Sequence, residues 1–402
     1  MATRYNAFVT GAEHKWPVVW ALVAMALVLG WQALTVRANY GGNWTGLFRT
    51  GSATLVPENL EASTFRNHHP IGYDGQFYRF LAHDPFLLGD TWMYMDDPLL
   101  RSRRILVPLT AWMLAAGQQR AIDGAYVLVV AGFIGLGTFW LACIMAREGR
   151  HAALGLLFLM VPGALIGVDS MTVDVALAAL TAGFAWYVLN GRERGMWLVV
   201  AAAALVRETG LALPAAYAAS PLLQRDFRKA MWRATAVVPV AAWYGYLFGV
   251  LPPGQTQVQP WVLRFHLDLG ILMRAMNPLR YPMLSASVEK IVRIVDVLSL
   301  TATMAMAAVG LVRIRRVPAE IGIALGLYVA LMLAMTSPKF YDDPYTYGRC
   351  FAPIFVLVLA AAARMSWRAT AVVAVLCLGA DMRVAAEMQT QMAGVAHWLG
   401  IG

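Results

Sequence analysis

Apolar residues along this chain come in long unbroken runs, and several runs approach the ~20 residues that carry a helix across a bilayer. Polar residues collect in the gaps. The pattern predicts an all-α polytopic membrane protein, because lipid tolerates only helices and closed barrels and no alternating barrel-strand pattern is present. The run 17–36 follows a mixed stretch holding Arg4, His14 and Lys15, without a small-residue cleavage site close behind it, which predicts a retained span with its N-terminus inside. Later crossings are expected at 122–146, 152–168, 171–190, 196–206, 210–223, 234–252, 291–312, 319–336, 351–364 and 369–385, eleven in all, with the C-terminus outside.

Charge location sets this count. Clusters at Arg147/Arg150, Arg192/Arg194, Arg225 to Arg233, Arg313 to Arg316 and Arg364/Arg368, with Arg4 and Lys15, hold fifteen Lys/Arg against four acids. All of them are expected to be cytoplasmic. Were the run 105–117 a further crossing, every later cluster would fall outside, so it predicts a helix lying at or dipping into the outer interface. The segments flanking Arg207 and Glu208 are too short for independent full spans and predict a broken or shallow helix pair.

Composition agrees with the pattern. Of 402 residues 59% are hydrophobic and 14% charged, about one in seven where a soluble domain has about one in four. That excludes a soluble globule. The net charge of +9 belongs to the loops and points to no nucleic acid. Cys143 and Cys377 lie inside apolar runs and Cys350 beside one, which gives no disulfide framework or CxxC metal site. No linker or fixed-period repeat divides the chain, so residues 1–402 form one domain, with 37–121 as a long first extracytoplasmic loop. Within it, Arg37 to Arg104 balances seven basic against seven acidic residues. Further outer loops are expected at 253–290 and 337–349.

Several polar residues stand in expensive places. His68-His69-Pro70-Ile71-Gly72-Tyr73-Asp74-Gly75 leads into Phe77, Phe80 and Leu81 at helical spacing, so Asp74 would sit at the N-terminal end of a short amphipathic helix. The glycines would leave its carboxylate uncrowded; the plainer alternative is a helix cap. Asp84 before Pro85 reads as a turn-forming Asx residue or a second carboxylate. Arg207-Glu208 lies at or near membrane depth, where charge costs ~2.5–3.5 kcal/mol. The two residues either neutralise each other at a helix break or leave Arg207 to bind an anion. Arg349, at the end of a Tyr-rich segment with Tyr347, reads as a snorkelling flank or a second phosphate-contacting cation. Arg101, Arg103 and Arg104 read first as lipid-headgroup contacts, and Asp169 and Asp174 as a solvated outer turn. His68, His69, His83 and His266 lack the spacing of a zinc site.

Taken together these residues resemble the GT-C glycosyltransferases, in particular bacterial proteins similar to GPI mannosyltransferase II. The likeness rests on Tyr73-Asp74-Gly75-x-x-Tyr78 with Leu81-Ala82, on Arg104-Ile-Leu-Val-Pro108-Leu, and on Val206-Arg207-Glu208-Thr209-Gly210-Leu211, where Val206 replaces the expected Thr. It covers roughly residues 17 to 225 and is architectural beyond them. The resemblance implies an inverting glycosyltransferase that moves a sugar from a polyprenyl-phosphate donor to an extracytoplasmic glycan, lipid or protein acceptor. Asp74 would be the catalytic carboxylate, Asp84 a supporting one, and Arg207 and Arg349 the donor-phosphate clamps. Tyr73, His69, Glu208 and Tyr347 would bind substrate. A divalent cation, magnesium or manganese, between Asp74 or Asp84 and the phosphate is compatible with this family, and no other cofactor is implied. Ala- and Arg-rich usage without a lumenal retention signal points to a bacterial inner membrane. The rival readings are a transporter or flippase of a lipid-linked saccharide, with Arg207 and Glu208 lining its path, and an assembly scaffold. The enzyme reading requires Asp74 and Arg207 to face each other across a gap of sugar-phosphate width.

Overall fold

In the computed structural model, which describes residues 15–255, 270–335 and 337–401, the apolar runs are helices. Among the described residues there is no strand; two isolated bridges join Thr50 to Gly72 and Gly51 to Asn67. Helix α1 (Lys15–Asn39) precedes a folded loop carrying α2 (Glu58–Glu61), α3 (Gly75–His83), α4 (Pro98–Arg103) and α5 (Leu106–Leu114). The chain continues through α6 (Gln119–Arg147), α7 (Pro162–Ser170), α8 (Asp174–Leu189), α9 (Glu193–Val206), α10 (Ala212–Leu223), α11 (Phe227–Ala234) and α12 (Val238–Val250). After α13 (Gly270–Met276) come α14 (Ala286–Arg313), α15 (Ala319–Ala334), α16 (Pro344–Cys350), α17 (Ala352–Ala363), α18 (Trp367–Glu387) and α19 (Gln389–Trp398).

Among the described residues, α1, α6, α14 and α18 are long and apolar enough to cross a membrane. Two bent pairs raise the number from four to six if each is one span: the 3-10 helix Ala152–Met160 with α7, at 65°, and α16 with α17, at 50°. The molecule is a helical membrane protein. Its four long helices coincide with the crossings expected at 17–36, 122–146, 291–312 and 369–385.

The other expected crossings fall on shorter elements: α8 and α15 have sixteen residues each, α9 fourteen, α12 thirteen and α10 twelve. Sixteen residues reach about 24 Å, short of the ~30 Å hydrocarbon layer. Burial explains why their sequences nonetheless look like spans. All twelve residues of α17 are buried and α8 is nearly as enclosed, so these helices are apolar all round because protein surrounds them. In contrast α1, α14 and α18 turn large apolar residues outward, among them Leu22, Leu27, Ile291, Leu298, Val375 and Leu378.

Helix α5 has nine residues and is about 14 Å long. It is too short to cross, as the charge argument for 105–117 requires; Val107, Pro108 and Ala111 are buried while Met113 and Leu114 stay exposed. At the end of the bundle carrying the basic clusters, Arg233 bridges Glu193 at 2.7 Å and Glu320 at 3.0 Å, tying α11 to α9 and α15. The N-terminal charges Arg4, Glu13 and His14 lie outside the described residues, as does 256–269 of the second outer loop, which holds His266.

Candidate functional site

Local sequence explains how each charged group is aimed. Gly75 opens α3 where the Ser170 carbonyl at the end of α7 comes so close that a Cβ would stand 2.1 Å from its oxygen. This contact presses the Asp74 end of α3 onto the turn after α7. Met171 follows in the left-handed region (φ 50°) and Asp174 then begins α8, where a negative charge suits the helix N-terminus. Pro98 occupies the first turn of α4 and Asp97 accepts from the Leu100 N–H at 2.9 Å; this cap sets the helix that carries Arg101 and leads to Arg104. Asp343 and Pro344 start α16 in the same way, and Arg349 lies in its last turn.

Between α9 and α10 the helix breaks at Arg207, whose backbone is extended (φ −167°, ψ 165°). Gly210 lets the following 3-10 turn lie against Ala203, where a Cβ would come within 2.0 Å of the carbonyl oxygen. Successive side chains of an extended backbone diverge. Arg207 and Glu208 therefore form no direct ion pair with each other, contrary to one expectation for this pair. Arg207 pairs with Asp174, and Glu208 with Arg104 at 3.1 Å.

The result is one chain of ion pairs drawn from five distant segments. Arg101 reaches the Asp74 carboxylate at 2.9 Å, and Arg349 holds the same oxygen. Arg349 lies 3.9 Å from Asp174, which in turn holds Arg207. Arg207 also donates toward Cys350 Sγ at 3.1 Å, and Arg104 donates to the Tyr78 hydroxyl at 2.8 Å. The guanidinium of Arg349 sits 5.2 Å from the centre of the Tyr73 ring. Inside the rim, four guanidiniums meet the carboxylates of Asp74, Asp174 and Glu208, while Asp96, half exposed, holds the outer side of Arg101 at 2.7 Å. Burial alone would raise the Asp74 pKa, but Arg349 and Arg101 outweigh it and hold this carboxyl well below the usual carboxylate range. Nε of Arg207 and Nε of Arg349 are buried without a hydrogen-bond partner, a costly state for a charged donor.

Asp74 thus stands at the cap position of α3 but makes no cap bond, and its carboxylate is crowded by guanidiniums. Arg349 is 8% exposed and does not snorkel. Arg101 and Arg104 turn inward, where the sequence suggested lipid headgroups. Asp169 and Asp174, expected in a solvated turn, are buried; Asp169 accepts from the Tyr345 hydroxyl at 2.6 Å and pairs with Arg49. Asp84 does not join the cluster. It lies at the other end of α3, where its carboxylate accepts from the N–H groups of Leu88 (2.9 Å) and Gly89 (3.0 Å), four and five residues on, and so holds the loop that follows the helix. Tyr347 faces elsewhere, sharing a 3.0 Å hydrogen bond with Ser299 on α14. His69 is exposed in the loop before Asp74. His83 contacts Gln119 at 2.6 Å and Asp123 at 3.1 Å.

The donor set does not fit a divalent cation. Asp74 is occupied by two guanidiniums, Asp84 is turned away, and no group of three or more metal-binding side chains occurs among the described residues. Arg349 and Asp174 stand between Asp74 and Arg207, so the two do not face each other directly as the enzyme reading requires.

The features define a helical membrane protein with a buried, arginine-rich polar cluster at one end of its bundle. No family model, curated protein or solved structure matches the chain. Sequence reasoning missed Asp174 as a member and misplaced Arg101 and Arg104. The available signal was the density of arginine directly before an apolar helix, which marks a charged cluster without saying which way it faces.

Proposed function

We propose that this chain is an inverting glycosyltransferase of GT-C type that moves a sugar from a polyprenyl-phosphate donor to an acceptor on the extracytoplasmic face of its membrane. The observation that supports the reading is that Arg349 links Asp74 to the Asp174–Arg207 pair in one buried cluster where both arginines keep an unpaired Nε, although Arg349 and Asp174 stand where the sugar phosphate would have to fit. Such donors suit phosphate oxygens, which a planar guanidinium grips in a fork. The accompanying topology is the eleven crossings expected from the sequence, the shorter helices crossing inside the bundle against protein, with the basic clusters in the cytoplasm.

In this mechanism the acceptor hydroxyl attacks the anomeric carbon as the bond from that carbon to the donor phosphate breaks. Asp74 takes the hydroxyl proton, and polyprenyl phosphate departs with its charge held by Arg207 and Arg349. Held by two guanidiniums that stabilise its anion, Asp74 is a weak base. Donor phosphate competes for Arg349 and so makes Asp74 more basic when a base is needed.

The test is transfer from a polyprenyl-phosphate sugar by purified protein in lipid nanodiscs. Asp74→Asn is expected to keep its gel-filtration profile and lose about a hundredfold or more in turnover. Turnover at the wild-type rate would falsify the assignment. Movement of a lipid-linked saccharide across vesicles without sugar transfer would instead support a flippase.

A further inference from the structure

A groove of about 470 Å³ opens along the outer side of the bundle where α14, α17 and α18 meet. Small side chains make the space: Ala308 and Gly310 on α14 and Ala361 and Ala362 on α17 line it. Val312 and Val372, also in the lining, are exposed apolar residues on two helices long enough to cross a membrane, so the groove faces lipid. Its mouth has a different chemistry. Arg313 ends α14, and Arg368 lies in the first turn of α18, where unpaired backbone N–H groups add to the positive field. Among the described residues neither arginine has an acidic partner, whereas nearby Arg364 approaches Glu148 at 4.0 Å.

We infer that this groove is a binding site for an anionic phospholipid, with one acyl chain lying along the small-residue floor and the headgroup phosphate held between Arg313 and Arg368. An apolar slot of this volume matches the range of ligand pockets, and juxtamembrane arginines draw acidic lipid. The chemistry discriminates among lipids. A choline headgroup carries its own cation, which the two arginines and the helix terminus repel, while a glycerol headgroup leaves the phosphate charge unopposed. The site stands apart from the Asp74 cluster, since α17 separates them: Arg349 precedes its first residue and Ser366 follows its last turn.

The experiment uses the full chain reconstituted from vesicles of equal phosphatidylglycerol and phosphatidylcholine, with retained lipid read by native mass spectrometry after detergent extraction. Wild-type protein is expected to keep phosphatidylglycerol with roughly tenfold preference, and the double variant Arg313→Gln/Arg368→Gln to lose that preference. Ala308→Phe, placed on an exposed wall position, fills the slot and is expected to reduce retention of both lipids with an unchanged melting temperature. Equal retention of the two lipids by wild type, or full retention by Ala308→Phe, overturns the proposal. So does displacement of the lipid by inorganic phosphate alone, which would mark a free-anion site.

Discussion

At the scale of single residues, the proposed mechanism turns on an exchange of partners around Arg349. Because the Asp74 carboxyl is held well below its ordinary range, it gives its full stabilisation above about pH 4 and loses it only as pH falls through the depressed folded value. Its own titration therefore leaves no acid limb in kcat/KM between about pH 5 and 9, since that ratio reports the free enzyme. On the proposed mechanism donor phosphate would take Arg349 and raise the Asp74 pKa, so kcat alone is expected to fall on acidification. A pH series of both constants checks this; parallel acid limbs would count against the exchange. Two aspartates should separate cleanly by substitution. Asp174→Asn leaves Arg207 and Arg349 short of a buried counter-charge and is expected to cost about 3–5 kcal/mol, read as a fall in melting temperature. Asp84→Ala removes two hydrogen bonds to its own turn, at about 0.5–1.5 kcal/mol each, and should leave sugar transfer close to wild type.

At the scale of elements, two close backbone approaches hold the charges in place. An added methyl at Gly75 would strike the Ser170 carbonyl, and one at Gly210 the Ala203 carbonyl; neither backbone atom can yield as a flexible side chain would. Gly75→Ala and Gly210→Ala are expected to lower folded yield sharply. Gly30→Ala makes the opposite case, because nothing lies within 4 Å of its Cβ position in the interior of α1. This variant should gain up to about 1 kcal/mol from helix propensity. Thermal unfolding of all three in one detergent compares them, and equal effects would mean that the two contacts do not govern the fold. The break at Arg207 belongs to the same scale: α9 ends at this extended residue, whose side chain pairs with Asp174 at the start of α8.

At the scale of the whole molecule, the ends of the bundle differ in electrostatics. One holds the ion-pair cluster and the other the basic loops, with α6 long enough to join them at about 43 Å. This polarity predicts sidedness. Exposed Arg120, at the start of α6, and exposed Arg192, in a basic cluster, should lie on opposite faces. Single cysteines at these positions are expected to react with a membrane-impermeant thiol reagent from outside at 120 and only after permeabilisation at 192. The three native cysteines are buried and contribute little background. Labelling of 120 from the cytoplasmic side would invert the topology and place the Asp74 cluster inside.

Hydrophobic runs alone determined that this is a helical membrane protein, because long apolar stretches have no other stable form in lipid, while the interface reading of 105–117 drew on the charge pattern as well. The Tyr73-Asp74-Gly75-x-x-Tyr78 segment was legible too: Tyr73 and Tyr78 flank the cluster that Asp74 enters. Tertiary structure decided the rest. Whether a sixteen-residue apolar helix such as α8 meets lipid or protein depends on lateral neighbours, which no window along the chain can see. Ion pairing has the same character: Arg207 ignores adjacent Glu208 for Asp174, and Arg101 and Arg104 point into the protein. Spacing fixes which residues share one element, but a buried charge takes its partner from whichever element packing brings within reach.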